Sequence, residues 1–248
     1  MINRIATFVF TIWVVVVFFS TMFLLLPFIL VPFLAGSRYT WVGYRFLYLW
    51  AWLFSKLTFI RYRITGRENI VQRQAFIYVS NHTSFLDVPG LRLLIPGEFR
   101  PIAKKELLKI PGFGLIVRAA TVVVDRSHAE SRKQSVEQAR AILNKGISML
   151  IFAEGTQNRT RELLQPFRNG AFRLAIETQT PIIPVVVTGA AQLMPPGKLQ
   201  IRPGTISIIA GKPIDVQGLQ QDDLTALKNR TFEVMKAMLL NHHSGTTS

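Results

Sequence analysis

The sequence contains no cysteine. That excludes a disulfide framework and any thiol nucleophile, and it leaves the compartment open. Histidine is scarce, with four in 248 residues. Two of these sit in the C-terminal "HHSGTTS", which reads as a solvated tail, so too few remain for a zinc site at known ligand spacings. No G-x-S-x-G elbow is present, which removes the usual serine-hydrolase arrangement and leaves Thr83 or Ser84 poorly supported as a nucleophile. A P-loop is also absent. Acidic residues are few: 14 Asp and Glu face 29 Lys and Arg, a formal charge of +15. Such a surface attracts anions, whether lipid head groups, phosphorylated substrates, an acidic carrier or nucleic acid. All four tryptophans lie in the first sixty residues, away from the basic stretches, which argues against nucleic acid.

Charge of either sign is missing from Ile5 to Ser37. This run exceeds the ~20 residues that cross a bilayer core. It is also far longer than the ~7–15 apolar residues of a cleaved signal. Pro27 and Pro32 disfavour a single straight helix through it. The next stretch, "YTWVGYRFLYLWAWLFSKLTFI", is apolar but carries Arg45 and Lys56. Trp and Tyr collect at the membrane boundary, where Arg and Lys snorkel. Residues 1–60 therefore read as two membrane-embedded helices, the second partly interfacial; the first either crosses or dips and returns.

Beyond residue 60 the pattern changes. Short β-rich runs at 61–65, 75–79, 121–124, 148–152, 182–187 and 205–210 alternate with helix-like stretches, notably at 130–145 and 169–178. A final amphipathic helix is expected over 222–241. Buried strands alternating with helices predict an α/β fold. The expected architecture is a mostly parallel sheet flanked by helices over 61–248, preceded by the two-helix anchor.

Four blocks carry residues suited to chemistry. In "YVSNHTSFLDVP", which suits a strand end or a helix N-cap, His82 precedes Asp87 by five positions. A histidine oriented by a carboxylate makes a general base at neutral pH. In "TVVVDRSHAESR" a β-branched strand ends at Asp125 and Arg126, with Arg132 nearby, and arginine at a strand end can bind phosphate or form a salt bridge. In "MLIFAEGTQNRT" a strand runs into Glu154, Gly155 and Thr156; the glycine allows either a close backbone approach to a ligand or a plain turn. Arg168 and Arg173 follow. In "TPIIPVVVTG" two prolines flank an Ile pair, which predicts an edge strand or a strand start, and an apolar wall suited to an acyl chain or to core packing.

In this order the blocks resemble the glycerolipid acyltransferase family, most nearly the bacterial 1-acylglycerol-3-phosphate acyltransferases. The N-H-x4-D pattern matches Asn81, His82 and Asp87. The strand ending near Arg matches Arg126, the F-x-E-G-T-R-S-R block matches "FAEGTQNR", and the Pro-rich strand matches Pro184. The resemblance covers about residues 60–215, and within "PIAKKELLKIPGFG" it carries over Lys104. Gln157 departs from the family's usual Arg, whereas Arg159 keeps the later basic position. The resemblance implies direct acyl transfer from acyl-CoA or acyl carrier protein to the sn-2 hydroxyl of lysophosphatidic acid, giving phosphatidic acid. His82 would be the base and Asp87 its orienting group. Lys104, Arg126, Glu154, Gly155, Thr156, Arg159 and Pro184 would contact substrate. No metal, cofactor or covalent acyl-enzyme is implied. The positive domain and the thioester donors imply the cytoplasmic face of the inner membrane. Other lysolipids, such as lyso-ornithine lipid, remain open as acceptors, and a non-catalytic lipid-binding protein is the reading from another class.

Overall fold

Alternation decides which way each strand faces. Tyr78 packs in one apolar cluster while its neighbours Ile77 and Val79 pack in another. Leu150 sits likewise between Met149 and Ile151, and Ile183, Val185 and Val187 oppose Ile182 and Val186. Successive side chains in a strand point to opposite faces, so both faces of the sheet are buried and both need helices over them. The computed structural model describes residues 4–71, 74–125 and 127–245. Its strands are β1 (Ile60–Thr65), β2 (Ile77–Ser80), β3 (Phe99–Lys104), β4 (Val122–Val124), β5 (Ser148–Phe152), β6 (Ile182–Thr188) and β7 (Gly204–Ala210). They form one sheet in the order β1-β7-β6-β2-β5-β3-β4. Every pairing is parallel except β6 with β7.

One face carries α1 (Arg4–Leu34), α2 (Thr40–Leu57), α3 (Asp87–Leu94) and α4 (Phe113–Ala120); the other carries α5 (Ala129–Asn144), α6 (Gly170–Thr178) and, after the short α7 (Ala190–Leu193), α8 (Leu224–Gly245). The anchor and the sheet share one apolar cluster. Val14, Ile29, Tyr44 and Phe54 pack with Leu91, Ile116 and Ile206. The change in composition near residue 60 therefore does not separate two cores.

Four readings need correction. The apolar run forms one helix through Pro27 and Pro32. The two lost backbone hydrogen bonds are tolerated in a helix that packs closely on a neighbour. Gly43 of α2 makes that packing possible, since a Cβ there would stand 2.6 Å from the Phe33 ring and 2.8 Å from the Ile29 carbonyl. Strand β3 carries no alternating signal because Arg100 and Pro101 interrupt it, yet it pairs with both β4 and β5. Strand β6 is neither an edge nor merely a strand start: it lies between β7 and β2 with Pro184 opposite Val79. The Pro184 carbonyl accepts from Gly211 N at 2.8 Å. The nitrogen without a hydrogen faces the same side, at the irregularity between the Val185–Ala210 and Ile182–Ile214 pairs. No ladder bond is needed there. Finally, α8 reaches Gly245, so His242 lies on a helix and not in a tail. By length and composition α1 can cross a membrane.

Candidate active site

Parallel strands leave their C-terminal ends at one edge of the sheet, where loops can gather functional groups. Strand β2 ends at Ser80, and the chain then turns through Asn81–Leu86 into α3, whose first residue is Asp87. The Asn81 side chain closes this edge. Its Nδ2 donates to the Val187 carbonyl at 2.9 Å and its Oδ1 accepts from Val187 N at 2.8 Å.

His82 is fixed from every side. Its Nδ1 lies 2.8 Å from Asp87 Oδ2. The ring stacks on Phe152, with centroids 4.0 Å apart. Its backbone N–H donates to Glu154 Oε1 at 3.1 Å, and its carbonyl accepts from Asn158 N at 2.7 Å. Asp87 is fully buried. The same Oδ2 accepts from Thr83 N at 2.7 Å and from Ser84 N at 2.9 Å. Its place in the first turn of α3 also sets the carboxylate against the helix's positive end. With Nδ1 turned to Asp87, the imidazole keeps Nε2 as its proton acceptor. His82 remains 16% exposed, enough for that nitrogen to meet a substrate at the mouth.

Gly155 adopts φ 77°, the left-handed region, and turns the chain back beneath the histidine. Glu154, only 2% exposed, points inward. Its Oε1 holds the His82 N–H, and its Oε2 accepts from Gln165 N at 3.0 Å. Both oxygens are thus used by the backbone, which makes Glu154 a support for the histidine and not a phosphate ligand. Burial raises its pKa above the usual carboxylate value. A raised folded-state value means that Glu154 favours folding most at low pH, and that this contribution fades as pH climbs through the raised pKa.

Thr156, Arg159 and Lys104 are exposed at the same edge, Lys104 at the end of β3 opposite Val124. Arg126 lies outside the described residues, as does the side chain of Arg132. Beside it, Asp125 accepts from Lys105 at 3.1 Å. Hydrogen bonds from Ser127 and Lys105 hold the Asp125 carboxyl well below the usual carboxylate range. Pro184 is buried within β6, four residues before the strand's end and so roughly 13 Å back along it. It stiffens the sheet and does not line the mouth. The supports from Asn81, Phe152, Asn158 and Gln165 were missed from the sequence. Asn81, Phe152 and Asn158 stood within the matched motifs and could have been singled out; Gln165 carries no local signal. Among the described residues no three His, Asp or Glu side chains converge as a metal site.

Replacing Glu154 by Gln tests the support. The two N–H donors meet different carboxylate oxygens, and the amide sets an NH2 group against one of them, so the His82 loop loses a hydrogen bond. The expected result is a destabilisation of about 1–3 kcal/mol with a fall in kcat. Thermal melts and steady-state kinetics measure the two; unchanged kcat would remove Glu154 from any role in holding His82.

An α/β sheet with a His–Asp pair at the C-terminal ends of its parallel strands, and basic side chains around it, places an oriented imidazole beside positive charge. The chain belongs to the acyltransferase family, whose model matches residues 61–188, more than half of its length. It is 33% identical over 178 residues to the human 1-acyl-sn-glycerol-3-phosphate acyltransferase alpha, covering 71% of this chain and 62% of that protein. It is 34% identical over 168 residues to the coconut 1-acyl-sn-glycerol-3-phosphate acyltransferase, covering 67% and 53%. The chain thus spans less than two thirds of the length of these relatives. The crystal structure of the 1-acyl-sn-glycerophosphate acyltransferase of Thermotoga maritima superimposes with a TM-score of 0.81 over 97% of both chains, at 22% identity, which shows a shared fold.

Proposed function

We propose that the protein transfers an acyl group from an acyl thioester to the sn-2 hydroxyl of 1-acylglycerol-3-phosphate, giving phosphatidic acid. The observation that carries this reading is the 2.8 Å contact between His82 Nδ1 and the fully buried Asp87. His82 Nε2 takes the hydroxyl proton as the oxygen attacks the thioester carbonyl. The C–S bond then breaks, and the departing thiolate receives the proton from His82. Asp87 steadies the imidazolium between the two steps. No covalent acyl-enzyme, metal or cofactor takes part, and the donor is acyl-CoA or acyl carrier protein. Lys104, Arg159 and Arg126 supply positive charge for the acceptor's phosphate, with Thr156 and the backbone at Gly155 as further donors. Gln157 favours a second acceptor class. It stands where the family often has Arg, so one charge contact to a phosphate is missing, which suits a lysolipid whose head group lacks phosphate.

The test pairs the purified full chain with lysophosphatidate, lyso-ornithine lipid and other lysolipids, each with acyl-CoA and acyl carrier protein. Lysophosphatidate is expected to give the highest kcat/KM. Transfer only to phosphate-free acceptors would move the assignment to the second class, and no transfer to any acceptor would remove it.

Residues 1–60 serve as the membrane anchor in this reading, with the domain of residues 61–248 in the cytoplasm against the inner membrane. Basic residues near membrane segments favour that side, and the donors are made there. In sealed right-side-out spheroplasts, externally added protease is expected to leave the region 126–132 intact. Cleavage there without lysis would reverse the orientation.

A further inference from the structure

A groove away from the candidate active site runs between α2, α3 and the exposed edge of β1. Two adjoining cavities of about 460 and 470 Å³ form it, sharing Tyr48, Arg67 and Leu93. Its cations are Arg45, Lys56, Arg61, Arg67 and Arg92, and no acidic residue lines either cavity. None of the five makes an ion pair among the described residues.

Arg92 is the unusual one. It is only 8% exposed, and its Nε is buried without a hydrogen-bond partner. Its guanidinium donates to the Gly97 carbonyl at 3.0 Å and lies 5.1–5.9 Å from the rings of Phe99, Tyr44 and Tyr48. A buried cation without a counter-charge is costly unless an anion completes it. The groove's outer wall has the composition of a membrane boundary. Arg45 sits over Trp41 at 5.5 Å and Lys56 over Trp52 at 5.9 Å, with both indoles about half exposed. That wall is α2, packed on the helix able to cross a membrane. Positive charge within an aromatic rim at the head-group level matches a lipid whose head group carries net negative charge.

We propose that this groove binds the head group of an anionic glycerophospholipid, at a site separate from the one where the acceptor reacts. The groove also touches the catalytic frame. Tyr62 lines it, and the Tyr62 hydroxyl donates at 3.0 Å to the carbonyl of Leu86, the residue before Asp87. Leu93 lines it from α3, the helix that Asp87 begins. An occupant therefore steadies the same helix that presents the carboxylate. The inference rests on the membrane location proposed above and not on the transfer chemistry.

The test is a binding measurement that needs no turnover. The full chain in a neutral detergent is titrated with dihexanoyl phosphatidylglycerol, with dihexanoyl phosphatidylcholine and with glycerol phosphate, and tryptophan emission is followed, since Trp41 and Trp52 line the cavities. Saturable binding is expected for the anionic lipid. The zwitterionic lipid and the free head group are expected to bind at least about tenfold more weakly. Arg61→Gln/Arg67→Gln is expected to weaken the anionic lipid by at least about tenfold, because each lost charge-assisted contact is worth about that factor. The double variant also loses the bond from Arg67 to the Leu93 carbonyl. Lys56→Gln/Arg61→Gln, both exposed and without that bond, is expected to show the same direction of change with an unaltered melting temperature. Lys104→Gln/Arg159→Gln at the candidate active site is expected to leave this binding intact. Equal binding of both lipids, binding of glycerol phosphate as tight as that of the lipid, or loss of binding only in the Lys104/Arg159 variant would each overturn the proposal.

Discussion

Replacement of His82 by Ala is expected to remove acyl transfer while the protein stays folded and membrane-bound. The side chain is partly exposed at the sheet edge, and its removal leaves the backbone bonds to Glu154 and Asn158 in place. General-base catalysis supplies about 10²–10⁴-fold, so a loss of at least about a hundredfold is the minimum consistent with the proposed role. Asp87 allows a finer experiment. Asn at this position can set its oxygen where Oδ2 now accepts from Thr83, Ser84 and the histidine. The geometry survives and the charge does not. Asp87→Asn is therefore expected to lower kcat strongly with little change in melting temperature. Asp87→Ala leaves the two buried N–H groups without their acceptor, at about 1–3 kcal/mol each, and is expected to lower both. More than about one per cent of wild-type activity in His82→Ala would end the general-base assignment. Isolation of an acylated Ser84 or Thr83 would replace direct transfer with a covalent route.

Removal of residues 1–60 is expected to do more than release a soluble enzyme. Tyr44, Trp50, Phe54 and Ile60 are each no more than 6% exposed, packed in the cluster that also holds Leu91, Ile116 and Ile206. Tyr44 additionally caps the sheet: its hydroxyl meets the Phe99 and Ala120 carbonyls and accepts from Arg100 at 2.9 Å. Stripping these helices uncovers one face of the sheet, and each large apolar side chain so exposed forfeits about 1.5–3 kcal/mol of burial. Summed over the several side chains uncovered, this rivals the roughly 5–15 kcal/mol by which domains are stable. The truncated chain is expected to be insoluble or to melt without a cooperative transition, with no activity toward lysolipid dispersed in detergent. A soluble, cooperatively melting fragment with normal kcat toward dispersed substrate would show that the anchor serves only to tether.

Much of this could be read directly from residue order. The run from Ile5 to Ser37 announces a membrane-compatible helix because charge is costly in lipid at any position along it. The short apolar runs at 148–152, 182–187 and 205–210 announce strands because length and hydrophobicity are local properties. His82 and Asp87 could be paired because five residues separate them, a reach that one turn into a helix closes. Gly155 could be marked as a turn for the same local reason.

What the sequence left open depends on contacts between distant segments. Pro184 suggested an edge, yet it sits in a central strand because its missing donor falls at an irregularity of β7, more than twenty residues away. Glu154 suggested a substrate contact. Only the approach of the β2 end to the β5 end, in parallel register, turns its carboxylate to the backbone of His82. Asn81, Phe152, Asn158 and Gln165 became visible as supports for the same reason. The compositional break near residue 60 marked off an anchor from the domain that follows; the sequence did not show that the anchor helices share an apolar cluster with one face of the sheet. Periodicity, charge gaps and short motifs act through neighbours along the chain, so residue order alone determined six of the seven strands, the long apolar run and the His–Asp pair. Strand order, burial of the carboxylates and the shared core come from long-range pairing and exclusion of water, and the tertiary structure alone decided them.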